Sequence, residues 1–231
     1  MALIVKKFGG TSVGSTEKIM NVAKRIIEEK KPGDQIVMVV SAMGDTTDDL
    51  IELAKGINSN PYQYTREMDM LLTTGEQVSI ALLTMAFKSL GQKAISLTGP
   101  MVGMRTNSVH TKGKIVDIKP SRVRKELEKG KIVVVAGFQG ADEKGDPVTL
   151  GRGGSDTTAV ALAALLNADR CVIYTDVDGV YDKDPRKHPD AVKFRHIGYD
   201  EMLALCRQGA QVLHDRCVEL AKECGIRLEV R

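Results

Sequence analysis

The sequence predicts an α/β fold in which helices cover both faces of a mainly parallel sheet. Short runs rich in Val and Ile alternate along the chain with helical patterns, and this alternation is typical of parallel sheets. The length of 231 residues suits one large domain or two tightly packed lobes. Apolar residues make up 42% and charged residues 27%, which is ordinary for a globular protein. In such sheets ligands bind beyond the carboxyl ends of the strands, so the loops there are candidate sites.

Each strand prediction rests on a short, β-branched apolar run, and each helix prediction on apolar residues that recur three and four positions apart. The predicted strands cover residues 2–8, 35–41, 93–99, 131–138, 170–175 and 226–231. The predicted helices cover residues 19–27, 48–55, 67–87, 121–129, 156–167 and 214–224, with Ser121 as the cap of the fourth. Residues 56–65 and 182–192 are expected to be polar loops.

Composition argues against several classes of function. A net charge of +3 without a basic block among aromatic residues disfavours nucleic acid. The strongly apolar run at 159–166 is too short to span a membrane, and Lys6 and Lys7 interrupt the apolar N-terminus. The four cysteines and four histidines show no metal-ligand spacing. We therefore expect a cytoplasmic chain with reduced thiols and with no zinc, membrane or nucleic-acid partner.

The first candidate loop, KKFGGTSVGS at residues 6–15, follows the first predicted strand. Paired glycines free backbone N–H groups to face an anion, and Lys7 adds a cation at the strand end. The loop is not a P-loop, because Lys7 precedes Gly9 and Gly10. A tight turn with Thr11, Ser12 or Ser15 as a helix cap is an equally open alternative.

The second candidate loop, SAMGDTTDDL at residues 41–50, offers the hydroxyls of Ser41, Thr46 and Thr47 beside a glycine. Thr46 or Thr47 as the cap of the following helix accounts for most of this pattern, so capping is the favoured interpretation.

The third candidate loop begins TLGRGGSD at residue 149 and opens an apolar helix. Glycine-rich backbone at a helix N-terminus binds anions, and Arg152 carries a fork suited to a carboxylate. Asp156 as a plain helix cap is the alternative. Because capping explains neither the three glycines nor Arg152, a functional role is favoured.

The fourth candidate loop, YTDVDGVYDKDPRKHPD at residues 174–190, contains several aspartates. Its spacing fails the EF-hand pattern after Gly179, so calcium is not expected. A nucleotide fits better, because Tyr181 could lie along a base or ribose while Lys183 and Arg186 meet phosphate.

An acidic residue lies in the middle of the long apolar helix at residues 67–87. From the helix alone, the wet face is the favoured position for Glu76, and burial with a partner is the alternative.

Six segments in order resemble the amino-acid kinase family, and within it the aspartokinase group. They are KFGGTS (7–12), SAMGDTTD (41–48), TTGEQVS (73–79), VAGFQG (135–140), TLGRGGSDTTAVALA (149–163) and YTDVDGVYDKDPR (174–186). The resemblance covers nearly the whole chain. It implies a three-layer α/β/α sandwich, with an amino-acid lobe over about 1–145 and an ATP lobe over about 146–231.

The resemblance implies transfer of the γ-phosphoryl group of ATP to the side-chain carboxylate of L-aspartate, with Mg²⁺ carried by ATP and no direct protein ligand. It implies that Glu76 pairs with the substrate ammonium. The resemblance assigns Lys7 and Asp156 to catalysis; Thr47, Glu76, Phe138, Arg152, Gly153, Gly154 and Ser155 to the amino acid; and Lys7, Phe8, Gly9, Gly10, Ser41, Thr175, Asp176, Tyr181, Asp182, Lys183, Asp184, Pro185 and Arg186 to the nucleotide.

Two departures from the family pattern qualify these expectations. Gln211 and Asp215 occur in GAQVLHD, where many relatives carry a lysine and a proline. Aspartokinases usually continue into paired ACT domains, whereas this sequence stops at Arg231. We therefore expect an isolated catalytic domain whose regulatory half is deleted or supplied as a separate subunit, with the chain itself monomeric or self-associating. Another amino-acid kinase, or an idle nucleotide-binding protein of the same fold, is the alternative function.

Overall fold

The structure is a computed structural model that describes residues 2–207 and 212–231. These residues form ten strands and seven α-helices. The strands are β1 (Leu3–Phe8), β2 (Gln35–Val40), β3 (Ala94–Leu97), β4 (Met104–Thr106), β5 (Ile115–Ile118), β6 (Ile132–Ala136), β7 (Gln139–Ala141), β8 (Pro147–Thr149), β9 (Arg170–Tyr174) and β10 (Leu228–Val230). The α-helices are α1 (Thr16–Glu29), α2 (Thr46–Ile57), α3 (Thr65–Ser89), α4 (Ser121–Glu128), α5 (Gly154–Leu166), α6 (Tyr199–Arg207) and α7 (Asp215–Cys224).

The main sheet contains six strands in the order β10-β9-β1-β2-β6-β3, and every neighbouring pair is parallel. All six strands lie at the positions predicted from apolar runs. Their parallel direction follows from the helices and long connections that separate them, since antiparallel neighbours need only a tight turn. The carboxyl ends of the central strands therefore lie together at one edge.

Two separate hydrophobic clusters show that helices cover both faces of this sheet. On one face Ile4 and Met38 of the sheet pack with Ile26 of α1 and Phe87 of α3. On the other face strand residues such as Val5 pack with α4, α5, α6 and α7. Successive strand residues point to opposite faces, so each central strand contributes to both clusters. The prediction of a three-layer α/β/α sandwich is confirmed.

A second, four-stranded sheet in the order β5-β4-β7-β8 has no counterpart among the predicted strands. Its strands contain three or four residues each, and the pairs β4–β5 and β7–β8 are antiparallel. Segments this short carry too little apolar periodicity to be recognised. Helix α6 was also not predicted.

Of the four places where the sequence analysis considered a helix cap, the structure shows one. Ser15 does cap α1, because its side chain accepts a hydrogen bond from the Lys18 N–H. Ser121 is the first residue of α4 and not its cap. Gly153 precedes α5 in a left-handed conformation, so Asp156 is not a cap either. The Thr46 hydroxyl donates to the carbonyl of Met43 and does not cap α2.

Helix α3 and the 3₁₀ turn before it form the most apolar long segment of the described chain. Residues 61–89 are long and apolar enough, by length and composition alone, to cross a membrane. The prediction from the sequence, which rests on residues 159–166 as the most apolar run, does not include this segment. Within the fold, 56% of the most apolar window is buried. A core helix passes the same test, so this finding by itself is weak support for a membrane span.

Candidate active site

Three candidate loops leave the main sheet side by side. Phe8 of β1 lies opposite Val40 of β2 and Tyr174 of β9 in the register of the sheet. Gly9, Ser41 and Thr175 therefore begin their loops at the same edge. A hydrogen bond from the Ser41 N–H to the Phe8 carbonyl, 3.2 Å long, holds the first two loops together.

Lys7 and Asp156 form an ion pair at this edge. The alternation of β1 directs Lys7 toward α5, and Asp156 lies in the first turn of that helix. Lys7 Nζ is 2.7 Å from Asp156 Oδ1, and the two side chains are only 13% and 12% exposed. The ammonium of Lys7 compensates the charge of the carboxylate as an ion pair, and among the described residues Oδ1 has no hydrogen-bond donor.

The glycine pair lets the first loop lie directly against the second. The Gly44 N–H donates to the Gly10 carbonyl at 3.0 Å, and a Cβ on Gly10 would lie 2.7 Å from the Ala42 carbonyl oxygen. Glycine is therefore required at position 10. A Cβ on Gly9 would lie 3.8 Å from Lys7 Nζ, so this backbone faces the catalytic candidate. Ser15 therefore caps α1 while the glycine pair of the same segment packs against the second loop.

Glu76 is buried, so the wet-face position favoured from the helix alone is wrong, and the resemblance to the family had already reversed that interpretation. The residue is 3% exposed on α3, and its Oε1 accepts a hydrogen bond from the Ala42 N–H at 3.2 Å. Gly75 permits this approach, since a Cβ there would lie 2.9 Å from the Ala42 Cβ. Within the described chain Oε2 has no partner. Burial raises the pKa of the Glu76 carboxyl from its ordinary 4.5 to about 7.

The third loop carries several of the residues that are predicted to bind the amino-acid substrate. The Ser41 hydroxyl donates to the Ser155 hydroxyl at 3.1 Å. Phe138 has a positive φ of 69°, and a Cβ on Gly154 would lie 2.9 Å from its ring. Left-handed glycines turn the chain on both sides of Arg152, which is exposed and has no ion pair with any described residue. Thr47 is half-buried in the first turn of α2.

Two close contacts at this loop were not predicted from the sequence. A Cβ on Gly137 would lie 2.6 Å from the Ser155 hydroxyl oxygen, so glycine lets β6 approach the start of α5. A Cβ on Gly153 would lie 2.3 Å from Cγ of His214. The glycines themselves were the available signal. Gln211, where many relatives carry a lysine, lies outside the described residues.

The charged side chains predicted to bind the nucleotide in the fourth loop form their ion pairs within that loop. Arg186 contacts Asp176 at 2.7 Å and Asp184 at 3.0 Å. Tyr181 donates its hydroxyl to Asp178, and the Lys183 ammonium lies 2.6 Å from Asp190.

The remaining predicted residues of this loop are held locally. The Thr175 hydroxyl donates to Asp176, and Asp182 accepts from the Val192 N–H. Pro185 is half-buried. Apart from Thr175, Tyr181, Asp184 and Pro185, the predicted residues here are exposed, so the loop presents its charges to water.

A cleft of about 490 Å³ lies between the first and fourth loops. Phe8, Thr11, Ser12, Thr175 and Asp176 contribute to its lining. The ring of Phe8 stacks on Tyr174 with 4.2 Å between centroids, on the sheet face covered by α1. Lys7 points to the opposite face, toward α5. The cleft therefore joins two groups of predicted nucleotide residues but does not contain the Lys7–Asp156 pair.

Comparison with known proteins settles the family. Residues 2–231 match the family model described as the amino acid kinase family. The chain belongs to this family. Amino acid kinase membership agrees with the parallel sheet, the helical layers and the order of the six sequence segments.

Within the amino acid kinase family, the chain is similar to proteins named aspartokinase. It is 61% identical to an aspartokinase of Bacillus sp. (strain MGA3) over the whole chain and 56% of that relative. A crystal structure of aspartate kinase from Synechocystis superposes with a TM-score of 0.87 at 53% identity, over 100% of this chain and 37% of that one. E. coli aspartokinase III in complex with aspartate and ADP superposes with a TM-score of 0.87 at 26% identity, over 99% of this chain and 61% of that one.

The matched part of these relatives is limited. The chain spans about half the length of the curated relatives it matches, for example 56% of the Bacillus aspartokinase. Their names describe the longer proteins.

Proposed function

We propose that this chain carries the catalytic site of an aspartate kinase, which transfers the γ-phosphoryl group of ATP to the side-chain carboxylate of L-aspartate. The observation that carries the proposal is the buried Lys7–Asp156 pair beside the glycine loop, with Glu76 buried behind the next loop. The similarity to aspartokinases at 61% identity supports the same substrate.

The chemistry requires positioning more than proton transfer. A side-chain carboxylate of aspartate is already ionised at neutral pH, so an oxygen of this carboxylate attacks the γ-phosphorus without a general base. The bond between the γ-phosphorus and the β,γ-bridging oxygen breaks, and ADP leaves with that electron pair. The products are 4-phospho-L-aspartate and ADP, and no proton moves in the step.

Lys7 supplies the cation at the transferred group. Negative charge on the phosphoryl oxygens is stabilised best by fixed charges and aimed N–H groups in a site that excludes water. Lys7 is held by Asp156, and the backbone of Gly9 faces its ammonium. In this proposal Gly9, Gly10 and Ser41 line the phosphates, and Asp156 keeps the lysine in place.

The amino acid is bound through its charged ends. Glu76 Oε2, which has no hydrogen-bond partner in the described chain, would accept a hydrogen bond from the α-ammonium, whose charge would compensate the buried carboxylate. The guanidinium of Arg152, which has no ion pair with the residues that the structure describes, would bind the α-carboxylate. Thr47, Phe138 and the segment Gly153–Ser155 would complete this pocket.

Nucleotide binding uses the fourth loop together with Phe8. On ATP binding, the guanidinium of Arg186 would exchange a carboxylate partner for a phosphate, because each of these anions presents two oxygen atoms to the parallel N–H donors of its fork. Thr175, Asp176 and the segment 181–186 complete this part of the proposal.

Mg²⁺ is proposed to arrive with ATP. The buried Asp156 carboxylate, whose Oδ1 lies 2.7 Å from Lys7 Nζ, would orient the lysine and the surroundings of an ion that the phosphates of ATP carry. When bound, the ion neutralises charge on the phosphates. Lys7 and the glycine backbone act on the same oxygens.

Organisation and partners are part of the proposal. The amino-acid lobe covers about residues 1–145 and the ATP lobe about residues 146–231. Self-association or a separate regulatory subunit with ACT domains, a cytoplasmic location, and the absence of membrane and nucleic-acid partners stay predictions.

The experiment offers the protein Mg·ATP and hydroxylamine with L-aspartate, L-glutamate or N-acetyl-L-glutamate, and measures the hydroxamate. We expect product with L-aspartate. N-acetyl-L-glutamate is the matched control, because it has no ammonium for Glu76 to bind. Clear product with another acceptor and none with L-aspartate would refute the proposed substrate.

A further inference from the structure

Asp69 is the most completely buried carboxyl group of the described chain that the proposed chemistry does not use. It lies on α3 with no exposed surface. A buried carboxylate is costly unless donors surround it, so such a group marks a place where the fold requires a defined arrangement.

Three groups from outside α3 converge on Asp69. The Thr149 hydroxyl donates to Oδ1 at 2.6 Å. The Thr111 N–H donates to both oxygens, at 3.1 and 3.0 Å. His110 Nδ1 lies 2.8 Å from Oδ2. Asp69 therefore joins α3 to the end of β8 and to the loop between β4 and β5.

Both connections lead to the loop that carries Arg152. Thr149 is the last residue of β8, three positions before Arg152. Thr111 is β-branched and has a φ of 65°, an unfavourable conformation that its hydrogen bond to Asp69 supports. A Cβ on Gly151 would lie 3.3 Å from the Thr111 carbonyl oxygen, so this carbonyl packs against the residue before Arg152.

Glu76 lies seven residues after Asp69 on the same helix. Seven residues are about two turns, so the two carboxylates project from the same face of α3. In the proposed function Glu76 binds the amino acid, whereas Asp69 is hydrogen-bonded to Thr149 and Thr111 beside the loop of Arg152.

We propose that Asp69 is a positioning residue that sets the loop of Arg152 at a fixed distance from Glu76. The inference rests on the proposed function of these two residues. Asp69 does not contact the substrate. It acts by keeping the ammonium-binding and carboxylate-binding groups on one rigid unit, formed by α3 and the β7–β8 hairpin.

The test measures kcat, KM for L-aspartate and KM for ATP separately in four variants. Asp69→Asn places an amide nitrogen against the existing donors. Thr149→Val removes one donor, and Thr149→Ser restores it. Asp146→Asn is the control, because Asp146 lies in the same hairpin and pairs with Arg66 near the start of α3.

For Asp69→Asn we expect KM for L-aspartate to rise at least about 10-fold, while KM for ATP changes less than about 2-fold. Thr149→Val should raise KM for L-aspartate about 3-fold or more, whereas Thr149→Ser and Asp146→Asn should stay near wild type. A merely structural role would lower the melting temperature without separating the two KM values.

An unchanged KM for L-aspartate in folded Asp69→Asn, or a parallel rise of both KM values, would overturn the inference. If Asp69→Asn does not fold, Thr149→Val against Thr149→Ser decides it by the same criterion. Should the wild type phosphorylate another acceptor, the proposed substrate fails, and the separation of KM values is then required for that acceptor.

Discussion

Acidic and basic side chains meet in two regions near the strand ends, and the two regions differ in burial. The Lys7–Asp156 pair joins a central strand to a helix N-terminus, and both side chains are close to 90% buried. The pair of Arg186 with Asp176 in the fourth loop is more than half exposed on both sides. Water screens the second pair and hardly screens the first.

This difference separates two tasks. A buried pair costs desolvation free energy, and such a cost is repaid at a site that stabilises charge in a transition state. An exposed pair contributes little to stability, so its partners can be exchanged for a ligand. We infer that the edge near Lys7 determines turnover and that the fourth loop determines nucleotide affinity.

The largest expected effect follows from Lys7→Ala. Turnover should fall at least about 100-fold, because the cation that stabilises the transferred phosphoryl group is lost. Steady-state hydroxamate formation measures kcat, and circular dichroism checks that the variant is folded. Lys55→Ala, at an exposed pair on α2, is the control and should keep wild-type turnover. Near-normal turnover in Lys7→Ala would contradict the inference that the edge near Lys7 determines turnover.

The second effect concerns Glu76 and pH. Because burial raises its pKa from 4.5 to about 7, the folded protein holds a proton that the unfolded chain releases between these values. Stability without substrate should therefore fall as pH rises from 4.5 to 7. Glu76→Gln should remove this loss, which is on the order of 3 kcal/mol by the linkage relation.

Chemical denaturation of both proteins at pH 4, 6 and 8 measures the difference. The two free energies of unfolding should agree near pH 4 and diverge by pH 8, with the Gln variant more stable. In the wild type, saturating L-aspartate should reduce the pH dependence, since the ammonium compensates the carboxylate. A constant offset at all pH values would show that Glu76 does not titrate in this range.

A smaller effect is expected for Arg152. Arg152→Ala should raise KM for L-aspartate about 10-fold, because the fork for the α-carboxylate is lost. Its side chain is exposed, so the melting temperature should not change. Arg152→Lys keeps the charge without the fork and should give an intermediate KM. Equal KM values for all three proteins would place the α-carboxylate elsewhere.

The smallest effect is expected in the fourth loop. Arg186→Ala should raise KM for ATP about 3-fold with kcat unchanged, since one exposed phosphate contact is lost. Added salt should weaken ATP binding less in this variant than in the wild type. Lys187→Ala, at the neighbouring exposed position, is the control. A large loss of kcat in Arg186→Ala would contradict the division of tasks.

Prediction from the sequence succeeded where the signal was local and repeated. The six strands of the main sheet were found because each lies in a short apolar run, and the four central strands are buried on both faces. The convergence of Gly9, Ser41 and Thr175 followed from parallel direction alone. The second sheet escaped because its strands contain three or four residues. Interpretation of Glu76 from its helix failed because burial depends on the loop at Ala42, 34 positions away in sequence.

The order of the elements, the parallel sheet and the edge at which the loops gather could all be derived from the sequence. These properties depend on periodicity and on strand direction, which are encoded within short segments. Three contacts became visible in the tertiary structure alone: the ion pair of Lys7 with Asp156, the hydrogen bond from the Ala42 N–H to the buried Glu76, and the hydrogen bond from the Thr149 hydroxyl to Asp69. Those contacts join residues 34 to 149 positions apart, and their distances follow from packing between elements and not from any local pattern.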